Sequence, residues 1–167
     1  MFKVGDVLVH KNYGILVLTE ISQKDFGSGA NEYYSLSKMS QNKNDNFKVD
    51  ILANNCNYLR YPMDKQTALY IVNNLENLDT IWSSDNKERK EIFANIFSEG
   101  DPIKIASIAA TLRNKRLYFV SFKKNLPISD TKTFEKSSRL IKEELSFVLG
   151  EEFNNYSQNV RELLGDF

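Results

Sequence analysis

The first sixty residues carry the period-two pattern of β-strands. Apolar side chains there alternate with polar ones, or cluster in short β-branched and aromatic runs between turn residues. The clearest case is "NFKVDI", in which Phe47, Val49 and Ile51 face one side of a strand while Lys48 and Asp50 face the other. This pattern predicts a half-buried strand, and similar runs predict others upstream.

Two longer strands are predicted upstream, over "GILVLTEI" and "NEYYSLSKM". The stretch "KDFGSGA" joins them, and its Gly27 and Gly29 allow positive φ in a turn. A polar turn, "SQNKNDN", leads on to the Phe47 strand. Four or five short strands in so few residues do not suffice for a sandwich, so we expect a small curled barrel of the SH3-like or Tudor-like kind.

After "RYPMD" the period changes to that of helices. The strongest start signal is Asp101 as N-cap with Pro102 at the first helical position, and Gly100 and Gly150 mark helix ends. Five helices are predicted, from Asp64 to about Leu78, about Asn86 to Ser98, Asp101 onward, about Asp130 to Leu149, and about Asn154 to Leu164. The predicted fold is thus α+β, with a small N-terminal SH3/Tudor-like β-barrel over residues 1–62 and a C-terminal all-α bundle of about five helices over 63–167.

Few side chains in this chain could carry catalysis. Cys56 is the only cysteine and His10 the only histidine, which excludes an internal disulfide, a thiolate zinc cluster and a histidine metal cage. Neither residue has a nucleophile–base signature around it, and the "GSG" turn at 27–29 does not lead into a helix as a phosphate-binding loop does. We therefore expect a binding protein and not an enzyme, with no cofactor, metal or small-molecule substrate.

Hydropathy and charge bear on location and partners. No apolar run approaches the roughly 20 residues that cross a bilayer, and the N-terminus carries no secretion signal, so a soluble cytoplasmic protein with no membrane partner is expected. The 22 basic and 22 acidic side chains cancel, yet the stretch from Pro102 to Ser129 holds six bases and no acid. These six bases, here called the basic tract, are Lys104, Arg113, Lys115, Arg116, Lys123 and Lys124. Charge alone is compatible with a phosphate-facing surface and equally with a solvated helix face.

Three segments together resemble the CarD/CdnL family of bacterial transcription regulators. They are "FKVGDVLVHKNYG" at the N-terminus, "NNCNYLR" at the end of the predicted barrel, and Trp82 followed by helices and "SSRLIKEELSFVLG". The N-terminal module also resembles the RNA polymerase-interacting domain of the transcription-repair coupling factor. This chain contains no helicase motif, so the standalone CarD-like regulators are the nearer likeness.

The resemblance implies two partners, the β subunit of RNA polymerase and promoter DNA at the upstream edge of the transcription bubble, bound without base-specific readout. In the family, basic side chains on two adjacent barrel strands bind the polymerase. The matching residues here are Lys24 and Lys48, with Phe26 beside the first. Lysines on exposed strands also discourage edge pairing, so the residues by themselves leave this role open.

In the family, a tryptophan at the position of Trp82 wedges into the minor groove at the bubble edge and so stabilises the open promoter complex. The arginines that commonly follow that tryptophan are replaced here, and their nearest substitutes are Lys87, Arg89 and Lys90. The resemblance also implies DNA contacts by Arg113, Lys115, Arg116, Lys123 and Lys124. From the residues alone, Trp82 could instead pack against the first two helices.

Three functions remain open at this stage. The first is a regulator that binds the polymerase and stabilises the open promoter complex; the second is a polymerase- or protein-binding adaptor without significant DNA contact. The third is an RNA-binding module that uses Tyr33 or Tyr34 on the exposed face of the barrel. Presentation of the basic tract on the same face as Trp82 favours DNA contact, and presentation on another face favours the adaptor.

Overall fold

Strands occupy the first part of the chain and helices the rest. The computed structural model describes residues 1–27, 29–39 and 47–165. The backbone divides into two units, Met1–Pro62 and Met63–Phe167. All strands lie in the first unit and all five α-helices in the second, so the predicted α+β class is confirmed. In the described part of the chain, no helix combines the length and the apolar character that a membrane crossing requires.

The first unit is a five-stranded antiparallel sheet. Its strands are β1 (Val7–His10), β2 (Gly14–Asp25), β3 (Ala30–Lys38), β4 (Lys48–Leu52) and β5 (Leu59–Arg60). The strand order is β4-β3-β2-β1-β5, so β4 and β5 are the two edges and the sheet is not closed. The predicted strands are confirmed, whereas the polar turn predicted over residues 40–46 lies outside the described residues.

Alternation places one face of each strand in a common core. In β4, Ile51 is buried and Val49 half-buried, whereas Lys48 and Asp50 are exposed, as the pattern predicts. The buried side chains of this core are Leu8, Leu16, Leu18, Tyr34, Leu36, Ile51 and Leu59. Strict alternation fails in β2 because the register with β3 shifts between Leu18 and Glu20, and such a bulge moves the following side chains to the other face.

His10 shapes the hairpin between β1 and β2. Its Nδ1 accepts hydrogen bonds from the backbone N–H groups of Asn12 (3.1 Å) and Tyr13 (3.3 Å), and its ring stacks on Tyr13 with the centroids 4.5 Å apart. Gly14 closes the turn at a φ of 75°, a conformation that side chains with a Cβ rarely adopt. The single histidine therefore has a structural role in this turn.

The described residues of the second unit, 63–165, form five α-helices. They are α1 (Lys65–Asn74), α2 (Asn86–Glu99), α3 (Pro102–Ser121), α4 (Ile128–Leu149) and α5 (Ser157–Leu164). Asp101 caps α3 as predicted, because its carboxylate accepts from the N–H groups of Ile103 (2.8 Å) and Lys104 (3.2 Å). A 3₁₀ segment, Gly150–Asn155, precedes α5, which therefore starts later than predicted.

Helix α3 occupies the centre of the helical core and then leaves it. Every residue from Ile105 to Leu112 is buried, so this half of the helix is covered on all sides. Beyond Leu112 most side chains are exposed. Sequence reasoning treated "RLYFVSFKKNLPI" as a connection, but its first six residues continue α3 to Ser121.

Candidate nucleic-acid interface

Trp82 lies in the loop that precedes α2, and hydrogen bonds to α2 and α3 hold this loop. The Ile81 N–H donates to Thr111 Oγ1 (3.0 Å), the carbonyl of Ser83 accepts from Arg89 Nη1 (2.7 Å), and Asp85 caps α2 by accepting from the Glu88 N–H (2.7 Å). The indole is half-buried and packs against the helical core. Trp82 thus has a packing role, and its remaining surface is presented by a well-anchored loop.

Two cations lie against the Trp82 ring. The guanidinium carbon of Arg89 is 4.2 Å from the ring centroid and the ammonium of Lys115 is 4.7 Å from it. Both distances are within the range of cation–π attraction. Lys115 belongs to the basic tract, so the tract and Trp82 share a surface at this position.

Arg89 cannot contact phosphate in this conformation, which corrects the sequence-based assignment. Only 4% of its surface is exposed, and its partner Asp130 on α4 is 1% exposed. Arg89 Nη2 lies 2.7 Å from Asp130 Oδ2 and its Nε 3.3 Å from Oδ1. A bidentate buried pair of this kind fixes the start of α2 against the start of α4, and the Trp82 loop with them.

The end of α3, residues 115–124, projects a mixed basic and apolar surface. Arg116, Lys123 and Lys124 are exposed, and Lys115 and Arg113 are half-buried. Between these bases stand large apolar side chains that are more than half exposed, namely Leu117, Tyr118, Val120 and Phe122. Sequence reasoning found the bases and missed the aromatic residues. The sequence signal for these aromatic residues was an apolar stretch that lacks the single apolar stripe of a helix packed against a core.

A rigid cap terminates α3. The N–H of Lys123 donates to the carbonyl of Val120 (2.9 Å) and the N–H of Lys124 to that of Phe119 (2.9 Å). These two bonds define a Schellman motif, in which the residue at the position of Lys123 is left-handed and usually glycine. Lys123 has a φ of 55°, so a lysine occupies a strained conformation at this point of the surface.

The remaining predicted DNA-binding bases, Lys87 and Lys90, lie on α2, and Lys104 of the basic tract lies at the start of α3. Lys87 and Lys90 are exposed near the start of α2. Lys104 pairs with Glu99 at 2.7 Å, and it is separated from Lys115 by about 16 Å along the helix axis at 1.5 Å per residue. Trp82 therefore contacts the C-terminal part of the basic tract.

On the sheet, the lysines predicted to bind polymerase are paired with carboxylates. Lys24 Nζ lies 2.7 Å from Asp50 Oδ1 and 2.9 Å from Ser35 Oγ, and Lys48 Nζ lies 3.3 Å from Glu20 Oε2. Lys24 is on β2 and Lys48 on β4, and β3 separates them, so they do not lie on adjacent strands as the resemblance implied. Both ion pairs therefore span β3.

These pairs perturb the titration of the two acids. The hydrogen bonds that Lys24 and then Ser35 donate lower the pKa of Asp50 below its ordinary value. The hydrogen bond from Lys48 has the same effect on the pKa of Glu20. Each of these two lysines is thus offset by a carboxylate on the same face.

Aromatic residues on the sheet divide between its core and its surface. Phe26 is 66% exposed and meets the half-buried Tyr33 edge-to-face, with the ring centroids 5.1 Å apart. Tyr34 is buried in the core and is not available to an RNA base, which removes it from the third hypothesis. Phe26 is therefore the exposed apolar group beside Lys24.

Taken together, the chain is an α+β protein with an N-terminal antiparallel sheet, a C-terminal helical unit and a basic, aromatic surface on that unit. Within the described residues, no group of three or more His, Cys, Asp or Glu side chains is arranged to hold a metal ion. No protein-family model matches the chain, and no curated protein is significantly similar to it.

Proposed function

We propose that this protein is a bacterial transcription regulator that binds RNA polymerase and stabilises the open promoter complex. In this proposal the N-terminal sheet is the SH3-like or Tudor-like module that engages the β subunit, and the helical unit contacts promoter DNA at the upstream edge of the bubble. No catalysis is involved, and the protein acts in the cytoplasm.

One observation carries the DNA-contacting part of the proposal. The Lys115 ammonium lies 4.7 Å from the Trp82 ring centroid, so a member of the acid-free basic tract sits against the aromatic side chain proposed as the wedge. DNA phosphates attract the basic side chains whatever the DNA sequence, while an aromatic side chain interacts with distorted or unstacked base steps. A surface that combines the two favours distorted DNA over a regular duplex.

The mechanism requires only a difference in affinity. A ligand shifts an equilibrium by as much as it prefers one state, so a preference of about 1.4 kcal/mol for the open complex raises the open-to-closed ratio roughly tenfold. Because Trp82 is anchored by its loop and by the core, little conformational entropy is lost when it binds. Such a contact is pre-organised.

On the sheet, Lys48 and Phe26 are the better candidates for the polymerase contact. The side chain of Lys48 is half exposed and its pair with Glu20 is long, so exchanging that partner for one on the polymerase costs little. Lys24 is held more tightly, between Asp50 and Ser35. We therefore expect Lys48 to contribute more than Lys24.

The packing of Trp82 favours a second candidate function, an adaptor that binds polymerase or another protein without significant DNA contact. The indole is half-buried against the helical core, and Arg89, one of the proposed phosphate ligands, is sequestered by Asp130. Under this alternative the Trp82 loop only stabilises the bundle.

The lifetime of open complexes formed with the cognate polymerase separates these functions. We expect the native protein to lengthen this lifetime, and Trp82→Ala and Lys115→Gln each to remove most of the effect while leaving polymerase binding unchanged. Lys104→Gln is the matched control, because Lys104 belongs to the same tract and helix but lies away from Trp82. Lys48→Glu should remove the effect by weakening polymerase binding. A folded Trp82→Ala protein with full activity would favour the adaptor.

A further inference from the structure

The end of α3 exposes more apolar surface than a helix in water normally retains. Leu117, Tyr118, Val120 and Phe122 are 55%, 60%, 58% and 59% exposed. Tyr118 and Phe122 are four positions apart and lie on one side of the helix, whereas Val120 points about 200° away from Tyr118. Large exposed apolar side chains gathered on one side of an element are typical of a binding surface. The surface is also rigid, because the Schellman cap at Lys123 fixes the backbone that carries Phe122.

The aromatic rings in this region form a row with a cation inside it. Lys115 Nζ lies 4.7 Å from the Trp82 ring and 6.0 Å from the Tyr118 ring. The Tyr118 and Phe122 rings follow, with centroids 4.9 Å apart and planes inclined by 56°. The row therefore runs from the Trp82 loop along one side of α3 to the end of that helix.

The charges around this row identify the class of ligand. Lys115 lies within the row, Lys123 and Lys124 are exposed directly after Phe122, and the sequence from Pro102 to Ser129 contains no acid. Proteins that bind single-stranded nucleic acid combine a positively charged surface for the backbone with aromatic side chains on which bases stack. A regular duplex offers phosphates to the basic side chains of the protein, but it offers no free nucleobase face to the aromatic rings. Unpaired nucleotides offer both.

We propose that the α3 end binds unpaired nucleotides, with Tyr118 and Phe122 as stacking surfaces and Lys115 and Lys123 as phosphate contacts. The inference rests on the proposed function in that the melted strands of an open promoter supply the ligand. It adds a second contact region, distinct from the Trp82 wedge, that recognises bases already separated from their partners.

The test measures binding to DNA without polymerase. The probe is a fluorescein-labelled oligothymidylate of roughly 12 nucleotides, a length within the site sizes of single-strand-binding surfaces, compared by anisotropy with a labelled duplex of equal length. We expect the single strand to bind more tightly than the duplex. Tyr118→Ser and Phe122→Ser should each weaken single-strand binding about tenfold, the loss typical of one stacked base, with little change for the duplex.

Two controls separate stacking from charge and from misfolding. Val120→Ser removes an apolar side chain of nearly equal exposure about 200° around the helix from Tyr118, and it should leave both affinities unchanged. Lys115→Gln should weaken binding to both probes, because phosphates are present in both. Helical circular dichroism confirms that the variants fold, which their exposed positions favour.

Equal or tighter binding of the duplex would overturn the inference, as would a folded Tyr118→Ser protein with unchanged single-strand affinity. A change of oligomeric state in Tyr118→Ser, seen by sedimentation without any loss of DNA binding, would assign this surface to a second copy of the chain and also overturn it. If the native protein lengthens open-complex lifetime while one of these results holds, the inference fails and the proposed function stands. If single-strand binding depends on Tyr118 but no lifetime effect exists, the proposed function fails.

Discussion

The two units arrange their basic side chains in opposite ways. On the sheet, Lys24 and Lys48 each reach across β3 to a carboxylate, so charges of both signs alternate on a half-exposed face. At the end of α3, exposed bases stand among exposed aromatic residues with no acid in the surrounding stretch. Of these two described surfaces, the end of α3 is the one whose bases stand in a stretch without acids, which favours a positive local field.

This difference shows that the outward position of a lysine on a strand or helix does not establish that its ammonium group is available to a binding partner. Lys48 faces outward as alternation predicts, yet its ammonium pairs with Glu20, 28 positions away in sequence. In the helical unit, Arg89 looks like a solvated base in "NKERK" but is buried against Asp130. The partners that decide these outcomes come from distant segments.

The largest expected effect comes from the buried pair. Asp130→Ala leaves the Arg89 guanidinium buried without its carboxylate, and we expect a loss of about 3–5 kcal/mol in the free energy of unfolding. Urea unfolding followed by helical circular dichroism measures it. Glu99→Ala is the matched control, because it breaks a half-exposed pair with Lys104 in the same unit and should cost less than about 1 kcal/mol. Equal losses in the two variants would show that burial does not distinguish these pairs.

A smaller, pH-dependent effect is expected on the sheet. Lys24 and Ser35 lower the pKa of folded Asp50, so the unfolded chain binds a proton more readily. The stabilisation is fully present above the ordinary aspartate pKa of about 3.9 and is lost as the pH falls through the lower folded value. Asp50→Asn should therefore cost about 0.5–1 kcal/mol at neutral pH and progressively less in acid. Urea unfolding followed by the methyl resonances of Leu36 and Ile51 reports on this unit, and a cost that stays constant with pH would contradict the assignment.

The third expected effect, no larger than the second, is a gain in stability. Lys123→Gly relieves the left-handed conformation of a lysine and should raise the free energy of unfolding of the helical unit by about 0.5–1 kcal/mol. Lys124→Gly removes the same charge at a residue without positive φ and should give no gain. Urea midpoints of the two variants make the comparison. No difference between them would mean that the backbone strain at Lys123 is negligible.

Local signals in the sequence predicted the elements well. The N-caps Asp64 and Asp101 and the stop at Gly100 act within a few residues and were predicted, whereas α1 ends at Asn74, before the predicted Leu78. Alternation in "NFKVDI" predicted which side chains of β4 are buried. The predicted barrel is not confirmed, because the sheet is open between its edges β4 and β5, and strand order depends on pairing between distant segments.

The candidate site was predicted only in outline. Trp82 and the basic tract were singled out, but the approach of Lys115 to the indole depends on how α3 packs beside the loop before α2. The aromatic residues Tyr118 and Phe122 were passed over, because the predicted third helix had no assigned end and the structure places Tyr118 within α3 and Phe122 at its C-cap. Extension of α3 beyond the core is a tertiary property, since it depends on where the neighbouring helices stop.

The place of Trp82 against Lys115 also has an optical consequence. Trp82 is the only tryptophan in the chain, so selectively excited emission comes from this one indole even though eight tyrosines are present. A ligand that draws the Lys115 ammonium away from the ring changes the electric field at the fluorophore. The emission of Trp82 thus reports, without an added label, on ligands that bind beside Lys115 on the helical unit.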